Sequence, residues 1–281
     1  MPITTFDDKV AAITGAGSGM GRALAEAVAS RNCHVAISDI DTAALAETQE
    51  LIKSNYSVEV SSHELDVADR GQVEQFATDV VHEHGKVNMI FNNAGVSVTD
   101  TAENMSYEDF EWLMNINFWG VIYGCKSFLP FFHDVDEAHI INTSSIFGVV
   151  AVPSQSAYNA SKFAVRGYTY AMRQELFDTH IGVSCVQPGG VKTNIIKSSR
   201  YTTADNTVAT KEELISRFDE FAGLTSEQAA EQILRGVLAN KAQILVGRDA
   251  KTAAIVERIA PTGYQKLLSR LISSMLNDKS P

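Results

Sequence analysis

Cysteine is scarce in this chain of 281 residues, and its three cysteines lie far apart at Cys33, Cys125 and Cys185. Their odd number and the lack of a CxxC spacing argue against a disulfide framework or a cysteine zinc site. We therefore expect free thiols in a reduced, cytoplasmic protein. The nearest pair of histidines, His82 and His84, falls at a predicted helix end with no third ligand in reach by spacing, so we expect no metal site.

Basic residues are also under-represented, with 23 Lys and Arg against 34 Asp and Glu and a net charge of −11. This balance argues against a nucleic-acid-binding surface, which needs clustered positive charge. The first ten residues, MPITTFDDKV, lack the basic and then apolar pattern of a signal peptide. Residues 138–161 carry no charged side chain, but Asn, Ser, Gln and Pro interrupt them, so we predict no membrane span.

The chain contains no internal repeat and no Pro- or Ser-rich linker, and short apolar runs alternate with amphipathic stretches. Strands are predicted at 10–14, 34–40, within 58–67, and at 87–95, 139–145, 182–190 and 242–247. Helices are predicted at 20–32, 42–54, 72–85, 106–132, 156–177 and 225–240. The nearly continuous apolar strands predict a doubly wound α/β fold, with a parallel sheet buried on both faces by helices.

We predict one domain over residues 1–247, with a substrate loop at about 195–221 and a C-terminal helical extension at 248–281. The segment 197–211 is polar and lacks apolar periodicity, as binding loops often do. In the extension, Pro261 and Gly263 divide two short helices whose apolar positions form a stripe from Ile255 to Leu276. Packing on the same subunit or on a partner would cover this stripe, and a lid or a membrane-surface role is the alternative.

A glycine-rich turn, TGAGSGMGR, joins the first predicted strand to the first predicted helix at 14–22. Its spacing is GxxxGxG at Gly15, Gly19 and Gly21, which permits a tight turn and lets backbone N–H groups approach an anion. A flexible turn without a ligand is the alternative. The strand–turn–helix context favours a phosphate-binding turn.

Asp39 stands at the end of the second predicted strand, where a carboxylate can bind the ribose hydroxyls of NAD. The same carboxylate would repel the 2′-phosphate of NADP. Asp41 is better placed to cap the following helix. Arg22, on the glycine-turn helix, could favour the phosphate instead, and a surface position is an equal alternative.

Tyr158 and Lys162 lie four residues apart in the stretch YNASK. Residues at this spacing are neighbours on a helix, so contact is permitted, but a surface pair of an amphipathic helix would have the same spacing. The motif alone is therefore weak, and the other motifs decide its meaning.

Several motifs occur together in a characteristic order. They are TGAGSGMG at 14–21, LDV at 65–67, NNAG at 92–95, MNIN at 114–117, NTSS at 142–145, YNASK at 158–162 and PGGVKT at 188–193. In this set and order the sequence resembles the short-chain dehydrogenase/reductase family over about two-thirds of its length. The resemblance implies a Rossmann-like fold and an oxidoreductase that transfers a hydride between a nicotinamide cofactor and an alcohol or ketone.

The resemblance also implies four catalytic residues. Tyr158 would be the general acid/base, and Lys162, together with an oxidised nicotinamide ring, would lower the pKa of its phenol from about 10. Lys162 would also hold the nicotinamide ribose. Ser145 would bind the substrate oxygen, with Ser144 as the competing candidate. Asn117 would hold a water that links Lys162 to solvent, or else would only satisfy backbone groups in a distorted helix.

The cofactor contacts implied by the resemblance surround these residues. The nicotinamide carboxamide would be bound by the backbone near Val191 and by the Thr193 hydroxyl, and Gly190 is a departure from the usual pattern. The full set is Gly15, Ser18, Gly19, Met20, Gly21, Asp39, Ile40, Asp66, Val67, Asn93, Ala94, Gly95, Tyr158, Lys162, Pro188, Gly189, Val191 and Thr193.

The substrate contacts are predicted to be Ser145, Phe147 and Tyr158, near Ile146, Val152 and Tyr201. These neighbours are largely apolar, with Lys192 and Lys197 as possible exceptions, so we expect a hydrophobic secondary alcohol or ketone. An NADPH-dependent ketone or aldehyde reductase and a non-catalytic NAD sensor are the alternatives. The resemblance implies a homodimer or homotetramer formed through helices 106–132 and 156–177.

Overall fold

The computed structural model describes residues 2–196, 198–201, 215–216 and 222–266, and its centre is a parallel β-sheet. The strands within these ranges are β1 Val10–Thr14, β2 His34–Asp39, β3 Val60–Glu64, β4 Met89–Asn92, β5 Val98–Thr99, β6 Ala138–Thr143, β7 Ile181–Pro188, β8 Arg200–Tyr201 and β9 Gln243–Val246. Seven of them form the main sheet in the order β3-β2-β1-β4-β6-β7-β9, while β5 and β8 form a separate pair.

Helices cover both faces of the main sheet. They are α1 Gly19–Ala29, α2 Thr42–Asn55, α3 Arg70–His84, α4 Tyr107–Met114, α5 Gly120–Phe132, α6 Ser156–Glu175, α7 Ser226–Leu238 and α8 Arg248–Ile259. A π-helical turn, Asn115–Trp119, joins α4 to α5, and a 3₁₀ turn, Ile146–Gly148, follows β6. The predicted doubly wound α/β fold is confirmed.

Strand β1 illustrates why the sheet is buried on both sides. Ala11 and Ile13 pack in the apolar cluster formed with α1, α2 and α7, whereas Val10 and Ala12 pack in the cluster formed with α3, α5 and α6. Side chains alternate between the faces of a strand, so a strand covered on both faces needs an unbroken apolar run. The sequence VAAIT supplies that run.

The order of the strands in the sheet reverses at β1. This strand pairs with β2 on one side and with β4 on the other, all in parallel. The loops that follow β1 and β4 therefore leave the same edge of the sheet in opposite directions, and ligands bind doubly wound folds at such a crevice.

The structure also corrects the predicted elements. The helix predicted at 106–132 contains the π-helical turn, and the predicted loop segment 197–211 includes β8, which pairs Arg200 with Val98 and Tyr201 with Thr99. Residues 197, 202–214 and 217–221 of the predicted substrate loop, with Lys197, lie outside the described residues. Two predicted caps are confirmed: Asp41 accepts from the Ala44 N–H, and Thr225 forms a capping box.

The C-terminal extension is described as far as residue 266. Ile255 is 59% exposed and Ile259 is 79% exposed, so the described residues of this chain do not cover this part of the predicted apolar stripe, and its cover by a partner stays a prediction. The stripe positions beyond 266 lie outside the described residues, and the domain boundary at residue 247 stays a prediction. No helix within the described ranges is long and apolar enough to cross a bilayer. The same ranges contain no group of three His, Cys, Asp or Glu side chains that could hold a metal ion.

His139, in the middle of β6, is a fully buried titratable group away from the sheet edge. Its Nε2 lies 2.8 Å from the Ser184 hydroxyl oxygen on β7, and its Nδ1 has no hydrogen-bond partner among the described residues. Burial, with a smaller contribution from the positive charge of Arg173, lowers the pKa of His139 to about 3. The folded chain therefore resists protonation that the unfolded chain accepts near pH 6.5.

We expect His139→Gln to make stability less sensitive to acid. Because the pKa is depressed in the folded chain, the contribution of neutral His139 to the free energy of unfolding is fully present above about pH 6.5. This contribution falls by about 1.4 kcal/mol for each pH unit as the pH decreases toward about 3. The variant is less stable at pH 7 because it disturbs the bond to Ser184, but its deficit shrinks by roughly 2 kcal/mol between pH 7 and pH 5. Urea unfolding at both pH values measures this change.

The matched control is His82→Gln, the same substitution at an exposed position of α3. A deficit of His139→Gln that stays constant between pH 7 and pH 5 would contradict the argument.

Candidate active site

The loops after β1 and β4 are joined by one hydroxyl group. Thr14, the last residue of β1, accepts hydrogen bonds at Oγ1 from the N–H groups of Asn93 and Ala94, each at 3.0 Å. The Asn93 amide donates back to the Thr14 carbonyl oxygen at 3.1 Å. A Cβ on Gly15, whose φ is +67°, would lie 2.8 Å from the Ala94 Cα. The predicted glycine turn and the NNAG loop are thus in direct contact, and this contact requires glycine at position 15.

The glycine turn presents the beginning of α1 to the crevice. Ser18 precedes the helix, but its side chain makes no capping bond in the described chain, and the first turn of α1 contains no acidic residue. The leading N–H groups of the helix, from Gly19 onward, are therefore without a side-chain cap and suit an anionic group. A Cβ on Gly21 would lie 2.0 Å from the Gly15 carbonyl oxygen, so the turn is closed tightly against the helix. These features fit a dinucleotide pyrophosphate.

Asp39 lies beside this turn at the end of β2. Its Oδ2 accepts from the Gly17 N–H at 2.8 Å, and its Oδ1 accepts from the Asp41 N–H at 3.0 Å. The carboxylate is therefore fixed against the glycine turn, where the ribose next to the pyrophosphate would lie. Ile40, the next residue, is 66% exposed.

Arg22 is held by hydrogen bonds beside the glycine turn. Its Nε donates to the Thr48 hydroxyl at 2.8 Å, and its Nη2 donates to the carbonyl oxygens of Gly17 and Ala44 and to the Glu47 carboxylate. The guanidinium therefore connects α1, the glycine turn and α2, and its position relative to a cofactor phosphate stays a prediction.

The predicted adenine contacts lie at the next strand. Asp66 follows β3 at the same sheet edge as Asp39, and its Oδ1 accepts from the Ala68 N–H at 2.9 Å. Val67 is buried and faces α5, where a Cβ on Gly120 would lie 3.0 Å from the Val67 side chain. Asp66 and Val67 are thus held at the far side of the crevice from the catalytic candidates.

Tyr158 and Lys162 lie one turn apart on α6, and both are buried rather than placed on a surface face. The Lys162 Nζ lies 5.6 Å from the centre of the Tyr158 ring and donates to the Thr143 carbonyl oxygen at 3.0 Å. Ser144 donates its hydroxyl to the Lys162 carbonyl oxygen at 2.7 Å, whereas Ser145 interacts with the Tyr158 phenol. The geometry therefore favours Ser145 over Ser144 as the hydroxyl that faces a substrate.

The pKa values of this pair differ from the sequence-based expectation. Burial raises the pKa of Tyr158 to about 12, and the hydrogen bond with Ser145 offsets only part of that rise. Burial also lowers the pKa of Lys162 to about 8. Both shifts have one cause, the cost of removing a charge from water. The lowering of the Tyr158 pKa expected from Lys162 together with an oxidised nicotinamide ring stays a prediction, since burial is the larger effect on the phenol without that ring.

Asn117 lies in the π-helical turn, and its side chain is fully engaged by backbone groups. Its Oδ1 accepts from the Val96 N–H at 2.8 Å, and its Nδ2 donates to the Val96 carbonyl oxygen at 2.9 Å. The same Nδ2 lies 3.3 Å from the Ser161 hydroxyl oxygen. The side chain therefore satisfies the backbone groups of Val96 in the loop after β4, and its role in holding a water for Lys162 stays a prediction. A π-helical turn often marks a functional position in a helix.

The loop after β7 is held by the C-terminal end of the sheet and by α8. Gly189 donates its N–H to the Val246 carbonyl oxygen at 2.9 Å, and Gly190 donates its N–H to Asp249 Oδ2 at 2.6 Å. Thr193 lies across from the glycine turn, where a Cβ on Gly19 would be 3.4 Å from its side chain. Asp249 was not found from the sequence, because the motif GRD at 247–249 carries no local signal for a distant partner.

Tyr158 faces an apolar enclosure. It packs in a cluster with Val98, Leu113 and Ala157, against which Phe147 and Ile195 are partly buried. The Phe147 ring lies edge-on to the Tyr158 ring, with centroids 6.1 Å apart and planes at 89°. The predicted contact residues Ser145, Phe147 and Tyr158 therefore come together.

A nucleotide-binding crevice with a Tyr–Lys pair at its centre defines a class of dinucleotide-dependent enzymes, and comparison with known proteins identifies the family. The family model described as short chain dehydrogenase matches residues 9–204. The chain belongs to the short-chain dehydrogenase/reductase family and is an oxidoreductase of that family. The predicted resemblance is confirmed.

Three similar proteins illustrate the range of the family. SadH of Mycobacterium tuberculosis H37Rv, provisionally named an oxidoreductase, is 41% identical over 270 residues, which cover 95% of this chain and 96% of SadH. A Burkholderia phymatum short-chain dehydrogenase/reductase solved with NAD is 31% identical with a TM-score of 0.83, covering 92% of this chain and 95% of the other. An alcohol dehydrogenase of Thermococcus sibiricus, solved with 5-hydroxy-NADP, is 26% identical with a TM-score of 0.71, covering 85% and 94%.

We expect Lys162→Met to stabilise the folded protein. The pKa of Lys162 is about 8 in the folded chain against an ordinary value of 10.5, so the buried ammonium costs roughly 3 kcal/mol wherever both states are protonated. The cost is complete below about pH 8 and vanishes above about pH 10.5. The gain in the free energy of unfolding should therefore be largest at pH 7 and should shrink as the pH rises toward 10. The lost hydrogen bond to Thr143 reduces this gain by about 1 kcal/mol at every pH.

Chemical unfolding at pH 7 and pH 9.5 measures this gain. The control is Lys126→Met on α5, which removes the same charge from an exposed position. A variant that is less stable than the wild type at pH 7 would contradict the argument.

Proposed function

We propose that this oxidoreductase transfers a hydride between a nicotinamide cofactor, NAD in preference to NADP, and a hydrophobic secondary alcohol or ketone. The observation that carries the proposal is the convergence of Ser145, Tyr158 and Lys162 at the crevice, with Tyr158 enclosed by apolar side chains. A bound cofactor would supply the hydride donor or acceptor and, when oxidised, a positive charge near the phenol.

In this proposal Tyr158 exchanges the proton of the substrate oxygen. With a pKa of about 12 the phenol is protonated at neutral pH, which suits donation to a ketone oxygen. Acting as a base on an alcohol requires positive charge nearby, and Lys162, with a pKa of about 8, is mostly protonated at pH 7 and lies near the ring. Ser145 holds the same substrate oxygen by a hydrogen bond.

The residues around the glycine turn support NAD as the cofactor. The Asp39 carboxylate is fixed beside Gly17 by two backbone N–H groups, where it would bind ribose hydroxyls and repel a 2′-phosphate. The nearby guanidinium of Arg22 is bound to Glu47 and to backbone oxygens, so it is not available to a 2′-phosphate. The structures similar to this one contain NAD in one case and an NADP derivative in another.

We expect Asp39→Ala to weaken NADH binding by roughly tenfold, since hydrogen bonds to a charged group contribute roughly 1.5–3 kcal/mol. Removal of the negative charge should strengthen NADPH binding at the same time. Titration of both reduced cofactors by fluorescence measures the two dissociation constants.

The matched control is Asp41→Ser, which removes a neighbouring carboxylate but keeps a residue able to cap α2. This control should leave the ratio of NADH to NADPH affinity within about twofold. Wild-type protein that binds NADPH as well as NADH would instead favour an NADPH-dependent reductase.

We expect Tyr158→Phe to lower kcat by roughly 10²–10⁴-fold, because the change removes the proton donor and keeps the ring. The affinity for NADH should stay within about threefold of wild type. A panel of secondary alcohols and ketones at saturating cofactor measures turnover, with Tyr170→Phe, on the half-exposed side of the same helix, as the control.

Tight NADH binding by wild-type protein with no turnover across the panel would favour a sensor that only binds the cofactor. Turnover of small charged hydroxy acids alone would contradict the hydrophobic substrate. The apolar cluster around Tyr158 supports the hydrophobic substrate. Arg200, a further basic residue beside that cluster, is bound to Asp109 at 2.8 Å and stacks on Trp112. Assembly as a homodimer or homotetramer stays a prediction.

A further inference from the structure

The C-terminal extension contacts both loops that flank the candidate active site. One loop follows β7 and carries the predicted nicotinamide contacts Pro188 to Thr193. The other follows β6 and carries Ser145, the 3₁₀ turn and Phe147. Asp249 contacts the first loop and Tyr264 contacts the second, and both residues belong to the extension.

Asp249 fits closely into the loop after β7. Its Oδ2 accepts from the Gly190 N–H at 2.6 Å, a charge-assisted bond. A Cβ on Gly189 would lie 2.0 Å from the same oxygen, and a Cβ on Gly247 would lie 2.3 Å from Oδ1. The carboxylate therefore occupies the space that side chains at two glycine positions would need. Gly190, which departs from the usual family pattern, thus donates its N–H to this carboxylate, and the missing side chain at Gly189 leaves the space that the carboxylate occupies.

Tyr264 holds the loop after β6 in a similar way. Its hydroxyl oxygen accepts from the Ala151 N–H at 3.0 Å, and its ring is 9% exposed. The ring packs against Val149 and Val150, and Ile146 lies at the same cluster. Ala253 and Ala254 of α8 complete that cluster. The backbone that begins at Ser145 is thus covered by the extension on its apolar side.

We propose that Asp249 and Tyr264 are positioning residues of the active site, Asp249 for the cofactor-side loop through Gly190 and Tyr264 for the substrate-side loop through Ala151. The proposal rests on the proposed function for its effect on binding and turnover. Its structural part, that these side chains hold the two loops, does not depend on any ligand.

The first experiment measures backbone hydrogen exchange in wild type, Asp249→Ala and Tyr264→Phe without ligand. We expect exchange at 189–191 to be roughly tenfold faster in Asp249→Ala, and exchange at 149–152 to be faster in Tyr264→Phe, each with the other loop unchanged. Lys251→Ala, which removes a charged side chain from an exposed position of the same helix, is the control. Exchange rates equal to wild type at both loops would overturn the proposal whether or not the protein is active.

The second experiment separates cofactor binding from turnover. Asp249→Ala should weaken NADH binding by roughly five- to thirtyfold, and Asp249→Asn, which keeps an acceptor oxygen, should restore most of that affinity. Tyr264→Phe should raise KM for a ketone by roughly three- to tenfold and leave the NADH dissociation constant within about twofold. Because the two variants should change different constants, a general loss of folding would not reproduce either result.

The outcomes keep the two proposals distinguishable. Faster exchange with unchanged NADH affinity and unchanged KM, in an active wild-type protein, would overturn the positioning role. A wild-type protein that neither binds NADH nor turns over any alcohol or ketone would refute the proposed function, and the exchange rates would still decide whether the extension holds the loops.

Discussion

The close approach of two loops at the centre of the sheet is the constraint on which the site depends. Thr14 joins the glycine turn to the NNAG loop through two hydrogen bonds, and Gly15 lies so near Ala94 that a methyl group would not fit between them. Because β1 pairs on both sides, this contact stands where the strand order reverses. The crevice opens there, and β6 and α6 bring Ser145, Tyr158 and Lys162 to the same edge of the sheet.

Burial gives this site its electrostatic character. Tyr158 and Lys162 share a helix turn and an apolar surrounding, so the charged form of each is disfavoured and their pKa values move apart, to about 12 for Tyr158 and about 8 for Lys162. The fold accepts an ammonium that weakens its stability, held by the Thr143 carbonyl oxygen alone among the hydrogen bonds described for that group. The pKa values of such a buried pair respond strongly to any added charge, because burial keeps away the water that would screen it.

Local patterns in the sequence predicted most of the fold. The strands of the main sheet, the helices and the caps at Asp41 and Thr225 follow from apolar runs and short-range spacing, and the order of the motifs identified the family. The pairing of β5 with β8 was not predicted, because two-residue strands joined over about a hundred residues leave no periodic signal. The hydrogen-bond partners of Arg22 and Asn117 were not predicted, because they depend on how distant segments pack.

For the same reason, the contacts of the C-terminal extension with the two loops could not be predicted from the sequence. A glycine signals close backbone approach, but it does not name what approaches, and Gly189 could equally make room for a ligand or for a side chain. In the folded chain the Asp249 carboxylate takes that space. A chain that ended at β9 would leave the Gly190 N–H without this acceptor and the Ala151 N–H without the Tyr264 hydroxyl. The residues after 247 therefore support two loops of the candidate site, and the family motifs do not include these residues.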